Sequence, residues 1–82
     1  MSLNQATGVD PAVEAEIEDM FEYHPWAPPM VGSGQKVREA LIAAVKVIVE
    51  NVPPGPDRTV AIRKIREARM DCNSAITFGG RY

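Results

Sequence analysis

The stretch Val52-Pro53-Pro54-Gly55-Pro56 decides the fold, because it separates two long segments whose apolar residues recur at helical spacing. Proline inside a helix removes a hydrogen bond and clashes with the preceding turn, so the first segment must end here. Proline is favoured in the first turn of a helix, so Pro56 can begin the second. Two long helices joined by a short turn must lie antiparallel, and the sequence therefore predicts a helical hairpin.

The two arms of this hairpin are predicted over residues 34–52 and 56–78. Ser33 is a plausible N-cap for the first arm, and Gly79-Gly80 ends the second. The first arm carries one apolar residue every three or four positions, namely Val37, Leu41, Val45, Ile48 and Val52. The second carries a seam of mostly small residues that allows close packing: Ala61, Ile65, Ala68, Cys72 and Ala75.

A shorter acidic helix is predicted over residues 10–23, with Asp10 as its cap and Pro11 at its first position. Val13, Ile17 and Phe21 form one apolar stripe on it, and we expect Phe21 to be a core residue. Residues 1–9 show no periodicity and are predicted to be a flexible tail. The proline-rich stretch 24–33 is predicted to be an ordered loop or an extended arm.

Length and composition exclude several classes of protein. A chain of 82 residues makes a single domain, and the three predicted helices make its class all-α. One cysteine and one histidine leave neither a disulfide nor a metal site. No apolar run is long enough to span a membrane and no base precedes Lys36, so we expect no signal peptide and a cytoplasmic location. No cofactor is expected.

The apolar surface exceeds what a lone hairpin can bury. Only five residues are aromatic, and Ile42, Val49, Val60 and Met70 lie outside the inner face of the two arms. So small a core does not offset the entropy of ordering about 45 residues. The sequence therefore predicts a homo-oligomer, with a monomeric three-helix bundle as the alternative.

The net charge of −2 hides a gradient along the chain. Residues 1–32 carry −6, residues 33–52 carry +1 and residues 53–82 carry +3. Either the acidic front packs against the basic back, in the same chain or in a neighbour, or the basic face binds an anion such as a nucleotide phosphate. Duplex nucleic acid is not an expected partner, because nine bases on an acidic protein make no continuous phosphate-neutralising surface.

Two groups of residues are candidates for ligand binding. Aromatic side chains between Phe21 and Trp26 can stack on nucleobases, or they can cap a small core. Polar side chains at spacings of three and four share one face of the last helix, which binds phosphate and ribose or is an ordinary solvated face. With two bases that begin the first arm, the candidates are Tyr23, His24, Trp26, Lys36, Arg38, Arg66, Arg69, Asn73 and Thr77.

No catalytic arrangement is predicted. The acidic residues of the first helix, Asp19 among them, have no base at a fixed spacing and are interpreted as a solvated face. Cys72 lies on the small-residue seam and is interpreted as a buried small hydrophobe rather than a nucleophile. We therefore expect a protein that is not an enzyme.

From Phe21-x-Tyr23-His24-Pro25 onward, the sequence resembles the small phage proteins that sequester cyclic-nucleotide signals and so block CBASS immunity. The match runs through Val37-Arg38-Glu39-Ala40 and the proline turn to the last helix, over about residues 20–78. There it includes the stretch from Ala61 to Ala68 and Asn73-x-Ala75-Ile76. Related phage proteins with the same hairpin sequester the cyclised ADP-ribose signal of Thoeris immunity.

The resemblance implies a helical hexamer that holds cyclic di- or trinucleotides between subunits, uncleaved, inside an infected bacterial cell. Tyr23 and His24 match its motif and are the first candidates for stacking and for polar contact with base or ribose. The chain lacks the N-terminal β-portion of the ADP-ribose-binding relatives, which favours cyclic oligonucleotides. The alternatives are a cyclic ADP-ribose sponge and a protein-interaction module whose acidic helix contacts a host protein.

Overall fold

The structure, a computed structural model, describes residues 10–82 and shows within them three α-helices and no strand. Helix α1 is Pro11–Phe21, α2 is Pro28–Asn51 and α3 is Pro56–Phe78. The predicted all-α class is confirmed. The predicted flexible tail, residues 1–9, lies outside the described residues. None of the helices in the described part combines the length and the apolar character needed to cross a bilayer.

Helix α1 begins as the sequence predicts. The Asp10 carboxylate accepts a hydrogen bond from the amide of Ala12 at 2.8 Å, and Pro11 occupies the first turn. The helix ends at Phe21, two residues before the predicted end, because Glu22 already has extended backbone angles. Residues 22–27 then form the connection to α2.

Helix α2 begins at Pro28, so the prediction that residues 24–33 form a loop and that the helix starts at residue 34 is wrong. Pro28 and Pro29 fill the first positions of the helix, where an amide hydrogen would have no partner within the helix. Gly32 and Gly34 are accommodated inside the helix. Ser33 is not a cap, because its hydroxyl donates to the Pro29 carbonyl one turn earlier, at 3.1 Å.

The turn between α2 and α3 is fixed by hydrogen bonds at both ends. The Arg58 guanidinium donates to the carbonyl of Val52 at 3.1 Å, and the Thr59 hydroxyl donates to that of Gly55 at 3.1 Å. At the far end of α3, Gly79 and Gly80 both have positive φ, 59° and 80°. Their amides close the last turn on the carbonyls of residues 76 and 75, which confirms the predicted glycine terminus.

Within residues 10–82, α2 and α3 are the helices that contact each other, and α1 contacts neither. The Trp26 indole, just ahead of α2, donates to Thr77 near the end of α3 at 2.8 Å. Four residues join the other ends of these two helices. Helices α2 and α3 therefore run in opposite directions beside each other, and α1 is attached to the end of the pair.

The interior of the chain is thin. No apolar side chain of the described residues is buried, and large fractions of Ile42, Val49, Val60 and Met70 are exposed. Phe21, predicted to be a core residue, is 86% exposed, because α1 packs on neither of the other helices. The radius of gyration is 18.0 Å, whereas a compact domain of this length has roughly 12 Å. The structure thus bears out the predicted surplus of apolar surface on the helices.

Candidate functional site

The last residues of the chain hold the end of α1 against the end of α3. The Asp19 carboxylate accepts a hydrogen bond from the Arg81 guanidinium at 2.8 Å and another from the Tyr82 hydroxyl at 2.9 Å. Nε2 of His24 donates to the Asp19 carbonyl at 2.6 Å and lies 3.4 Å from its carboxylate. With Phe78, these four residues make up what we call the C-terminal clasp.

The aromatic rings of the C-terminal clasp meet edge to face around Phe78. Its ring centroid lies 5.1 Å from that of His24 and 5.1 Å from that of Tyr82, at interplanar angles of 75° and 76°. The Arg81 guanidinium lies 5.6 Å from the centroid of Phe78. Such contacts each add modest stability beyond the area that they bury. The clasp therefore fixes where α1 projects from the α2/α3 pair.

The Arg81 guanidinium, together with the Tyr82 hydroxyl, lowers the pKa of Asp19 below its ordinary value of 3.8. A carboxylate whose pKa is lower in the folded state stabilises that state above its unfolded pKa. The stabilisation disappears as the pH falls through the folded-state pKa. The bond to Asp19 correspondingly raises the pKa of the Tyr82 hydroxyl.

Replacing Asp19 with asparagine is expected to lower the melting temperature at neutral pH, because the ion pair with Arg81 is lost. The difference from the unaltered protein should shrink as the pH falls below 3.8, since protonation removes the same ion pair. Thermal melts between neutral pH and strongly acid pH measure this. Glu16→Gln, on an exposed side chain of the same helix, is the control. A difference that stays constant down to the lowest pH would show that the carboxylate charge does not hold the clasp.

A second contact joins the start of α2 to the end of α3. Thr77 accepts the bond from the Trp26 indole and donates its own hydroxyl to the Asn73 carbonyl at 2.9 Å. The Trp26 ring lies directly on Gly34: a β-carbon placed there would be 2.3 Å from Cζ3 of the ring. Only glycine allows this approach, and Gly34 is the one buried residue of α2.

Helix α3 carries a surface groove that is rich in arginine. The groove has a volume of about 600 Å³, and we call it the arginine groove. Within residues 10–82, the three arginines that line it form no salt bridge with any carboxylate. The structure thus brings three of the predicted site residues, Arg66, Arg69 and Asn73, to one surface. The complete lining is Arg63, Arg66, Glu67, Arg69, Met70 and Asn73.

A second groove lies between α2 and α3 and has a volume of about 420 Å³. Its floor is apolar and its rim is basic, and we call it the apolar groove. Arg66 and Arg69 line both grooves, so the two surfaces are continuous. The floor is formed by Leu41, Ile42, Val45, Ile62 and Ile65, and the rim by Arg38, Lys46, Arg66 and Arg69.

No protein-family model, no curated protein and no solved structure matches this chain.

The other predicted site residues fall into two groups. Tyr23 is 88% exposed, and Lys36 is exposed on α2 outside both grooves. His24, by contrast, is held in the C-terminal clasp, and Trp26 and Thr77 are bonded to each other. Tyr23 is not among the residues that line the arginine groove. In the part of the chain described, no three His, Cys, Asp or Glu side chains group so as to hold a metal ion.

The sequence argument missed Asp19, Arg81 and Tyr82. Asp19 is predicted to belong to a solvated face, but its side chain is half-buried and accepts two of the three hydrogen bonds of the clasp. The third, from His24, goes to its backbone carbonyl. The available signal was Gly79-Gly80 followed by an arginine and a tyrosine, since two glycines let the chain reverse direction after a helix. Asp19, the partner of Arg81 and Tyr82 about sixty residues earlier, belongs to no motif that would predict this contact.

Proposed function

We propose that the protein binds cyclic oligonucleotide signals, cyclic di- or trinucleotides, and sequesters them without cleaving them, which lets a phage evade CBASS-type defence. The active form in this proposal is a homo-oligomer of α-helical hairpins inside the infected bacterial cell, and the resemblance to the CBASS-blocking phage proteins implies a hexamer. The observation that carries the proposal is the arginine groove, in which three guanidiniums lie without a carboxylate partner within the described residues.

Unpaired arginines on one surface suit a ligand with several phosphates. A guanidinium presents a planar fork of N–H donors that binds phosphate oxygens in pairs. Asn73, which lines the same groove, can donate to and accept from a base edge or a ribose hydroxyl. All six residues that line this groove belong to α3, so a second element must close the site around a ligand. A cyclic dinucleotide offers both phosphates and polar base edges.

Tyr23 supplies the stacking surface in this proposal. It is exposed on the connection after α1, and no hydrogen bond among the described residues engages its ring or hydroxyl. Because Tyr23 does not line the arginine groove of its own chain, a neighbouring copy must bring the two together. The oligomer and the ligand site are thus one proposal.

Binding without cleavage fits the chemistry of the residues near the arginine groove. The one histidine of the chain is held in the C-terminal clasp and does not line that groove. Glu67 is the only carboxylate in the lining, and it stands among three arginines. Sequestration requires tight binding and enough copies of the protein, and it needs no proton transfer.

Titration calorimetry against a panel of cyclic di- and trinucleotides and cyclised ADP-ribose tests the proposal. We expect heat with at least one cyclic oligonucleotide, and the ligand should be recovered intact after the complex is denatured by heat. Linear products would show a nuclease. Heat with cyclised ADP-ribose alone would favour that second signal class. No heat with any member would favour a protein-interaction module, for which the exposed acidic face of α1 is suited.

Tyr23→Ala is expected to weaken ligand binding by about 5-fold to 150-fold, the loss of one base–aromatic stack of ~1–3 kcal/mol. The oligomer and the melting temperature of the free protein should not change, because the side chain is 88% exposed. Tyr23→Phe is the matched control: it keeps the ring and should retain most of the affinity. Equal affinity in Tyr23→Ala and the unaltered protein would remove Tyr23 from the site.

A further inference from the structure

Helix α1 carries apolar residues that nothing in its own chain covers. Val13, Ile17 and Met20 are 38%, 38% and 40% exposed, and Phe21 is 86% exposed. We call these four residues the α1 stripe. The rest of the helix surface is acidic, and no lysine or arginine precedes residue 36 of the chain. An amphipathic helix of this kind is stable when its apolar side is covered by a partner.

The apolar groove has the complementary character. Five aliphatic side chains form its floor, four basic side chains surround them, and no acidic residue lines it. An acidic helix laid in this groove would bury the α1 stripe on the floor and place carboxylates beside the bases. Charge complementarity of this kind sets partner and register.

The dimensions also agree. Helix α1 has 11 residues, a length of about 16 Å at the rise of an α-helix. On α2 the groove runs from Arg38 to Lys46, a span of about 12 Å by the same rise. One short helix therefore fills the groove.

Helix α1 does not occupy the apolar groove of its own chain. The C-terminal clasp holds the end of α1 at the end of α3, and α1 contacts neither α2 nor α3. We propose that α1 of one copy docks in the apolar groove of a second copy, with the α1 stripe on the aliphatic floor and its carboxylates at the basic rim. The partner is thus another molecule of the same protein.

The charges favour one orientation of the docked helix. Three arginines of the rim, Arg38, Arg66 and Arg69, outnumber its single lysine, Lys46. The carboxyl end of a helix carries the negative end of its dipole, and α1 has no basic residue in its last turn. With that end beside the arginines, Tyr23 of the docked copy comes next to Arg66 and Arg69. This last step rests on the proposed function; the docking itself does not.

Complementation between two variants tests the docking without any ligand. Ile17→Asp disables the α1 stripe and leaves the groove intact, and Ile42→Asp disables the groove floor and leaves α1 intact. Each variant alone is expected to sediment with a lower mass than the unaltered protein at equal concentration. An equimolar mixture should regain mass, because the intact α1 of one variant fits the intact groove of the other. Ala43→Asp, at an exposed position of α2 outside the groove, is the control and should keep the full mass.

Zero-length cross-linking of the unaltered protein gives a second measurement. It uses no variant, so misfolding of a variant cannot affect it. A carbodiimide joins carboxylates to lysine amines, and the chain has three lysines, Lys36, Lys46 and Lys64. In a mixture of isotopically light and heavy protein, we expect peptides that link residues 10–22 of one copy to Lys46 of another.

Several outcomes would overturn the docking. They are a lone protomer in the unaltered protein, single variants that keep the full mass, a mixture that stays dissociated, and links between copies that reach Lys64 or Lys36 but never Lys46. A lone protomer would also overturn the proposed function, which needs the oligomer. The other outcomes overturn the docking alone, because no nucleotide is present in either experiment and ligand binding is measured separately in the calorimeter.

Discussion

Gly34→Ala is expected to destabilise the protein by about 1–3 kcal/mol, the usual effect of overpacking a tight contact. The new β-carbon would lie 2.3 Å from Cζ3 and 2.8 Å from Cη2 of Trp26, so the indole must move. Moving it breaks the bond from the indole to Thr77, which joins the start of α2 to the end of α3. The melting temperature should fall by about 4–8 °C for each kcal/mol in a domain of this size.

Gly32→Ala is the matched control on the same helix, two residues earlier. Nothing lies within 4 Å of its added β-carbon, so the substitution gains the helix propensity of alanine, about 0.5–1 kcal/mol. The two substitutions are chemically identical and should change stability in opposite directions. If Gly34→Ala melts as high as Gly32→Ala, the contact between Trp26 and Gly34 does not fix the relation of α2 to α3.

Replacing Arg66 or Arg69 with alanine is expected to weaken binding of a cyclic oligonucleotide by about 13-fold to 150-fold each. A hydrogen bond to a charged group contributes about 1.5–3 kcal/mol, and both guanidiniums line the arginine groove. Lysine at either position keeps the charge but loses the paired donors, so its affinity should be intermediate. Calorimetry with the ligand identified from the panel measures the dissociation constant.

Lys64→Ala is the control for these variants, because Lys64 is exposed on α3 and lines neither groove. Sedimentation of each variant must be measured in parallel, since Arg66 and Arg69 also line the apolar groove. A variant that keeps its mass and loses affinity places the arginine at the ligand. Affinities equal to that of Lys64→Ala would remove the arginine groove from the proposed function.

Local chemistry made most of the helices predictable. Asp10 and Gly79 act through hydrogen bonds within four residues of themselves, and Pro11 and Pro56 act through their own fixed φ. The structure places the corresponding helix ends where they indicate. The start of α2 was mispredicted for a local reason as well. Pro28 and Pro29 were assigned to a loop, whereas prolines at the first helical positions are as favourable there as in α1 and α3.

The contacts between distant residues were not predictable. The spacing of Arg66, Arg69 and Asn73 follows from helix geometry alone, and they do line one groove. The partners of Trp26 and Asp19 lie 51 to 63 residues away in the chain, and no periodicity reports such a pairing. The misprediction of Phe21 as a core residue has the same cause. An apolar stripe shows that one side of a helix packs against something, but it does not show whether the same chain or another molecule packs there.

Because no apolar side chain of residues 10–82 is buried, a single copy has little interior to hold it folded. Where neighbouring copies complete the interior, mass action governs folding, and dilution shifts the population toward opened chains that proteases can cut. A newly synthesised molecule would then be degraded quickly until enough copies of the protein accumulate. The folded population would rise more steeply than the rate of synthesis, with a threshold in concentration rather than a gradual increase.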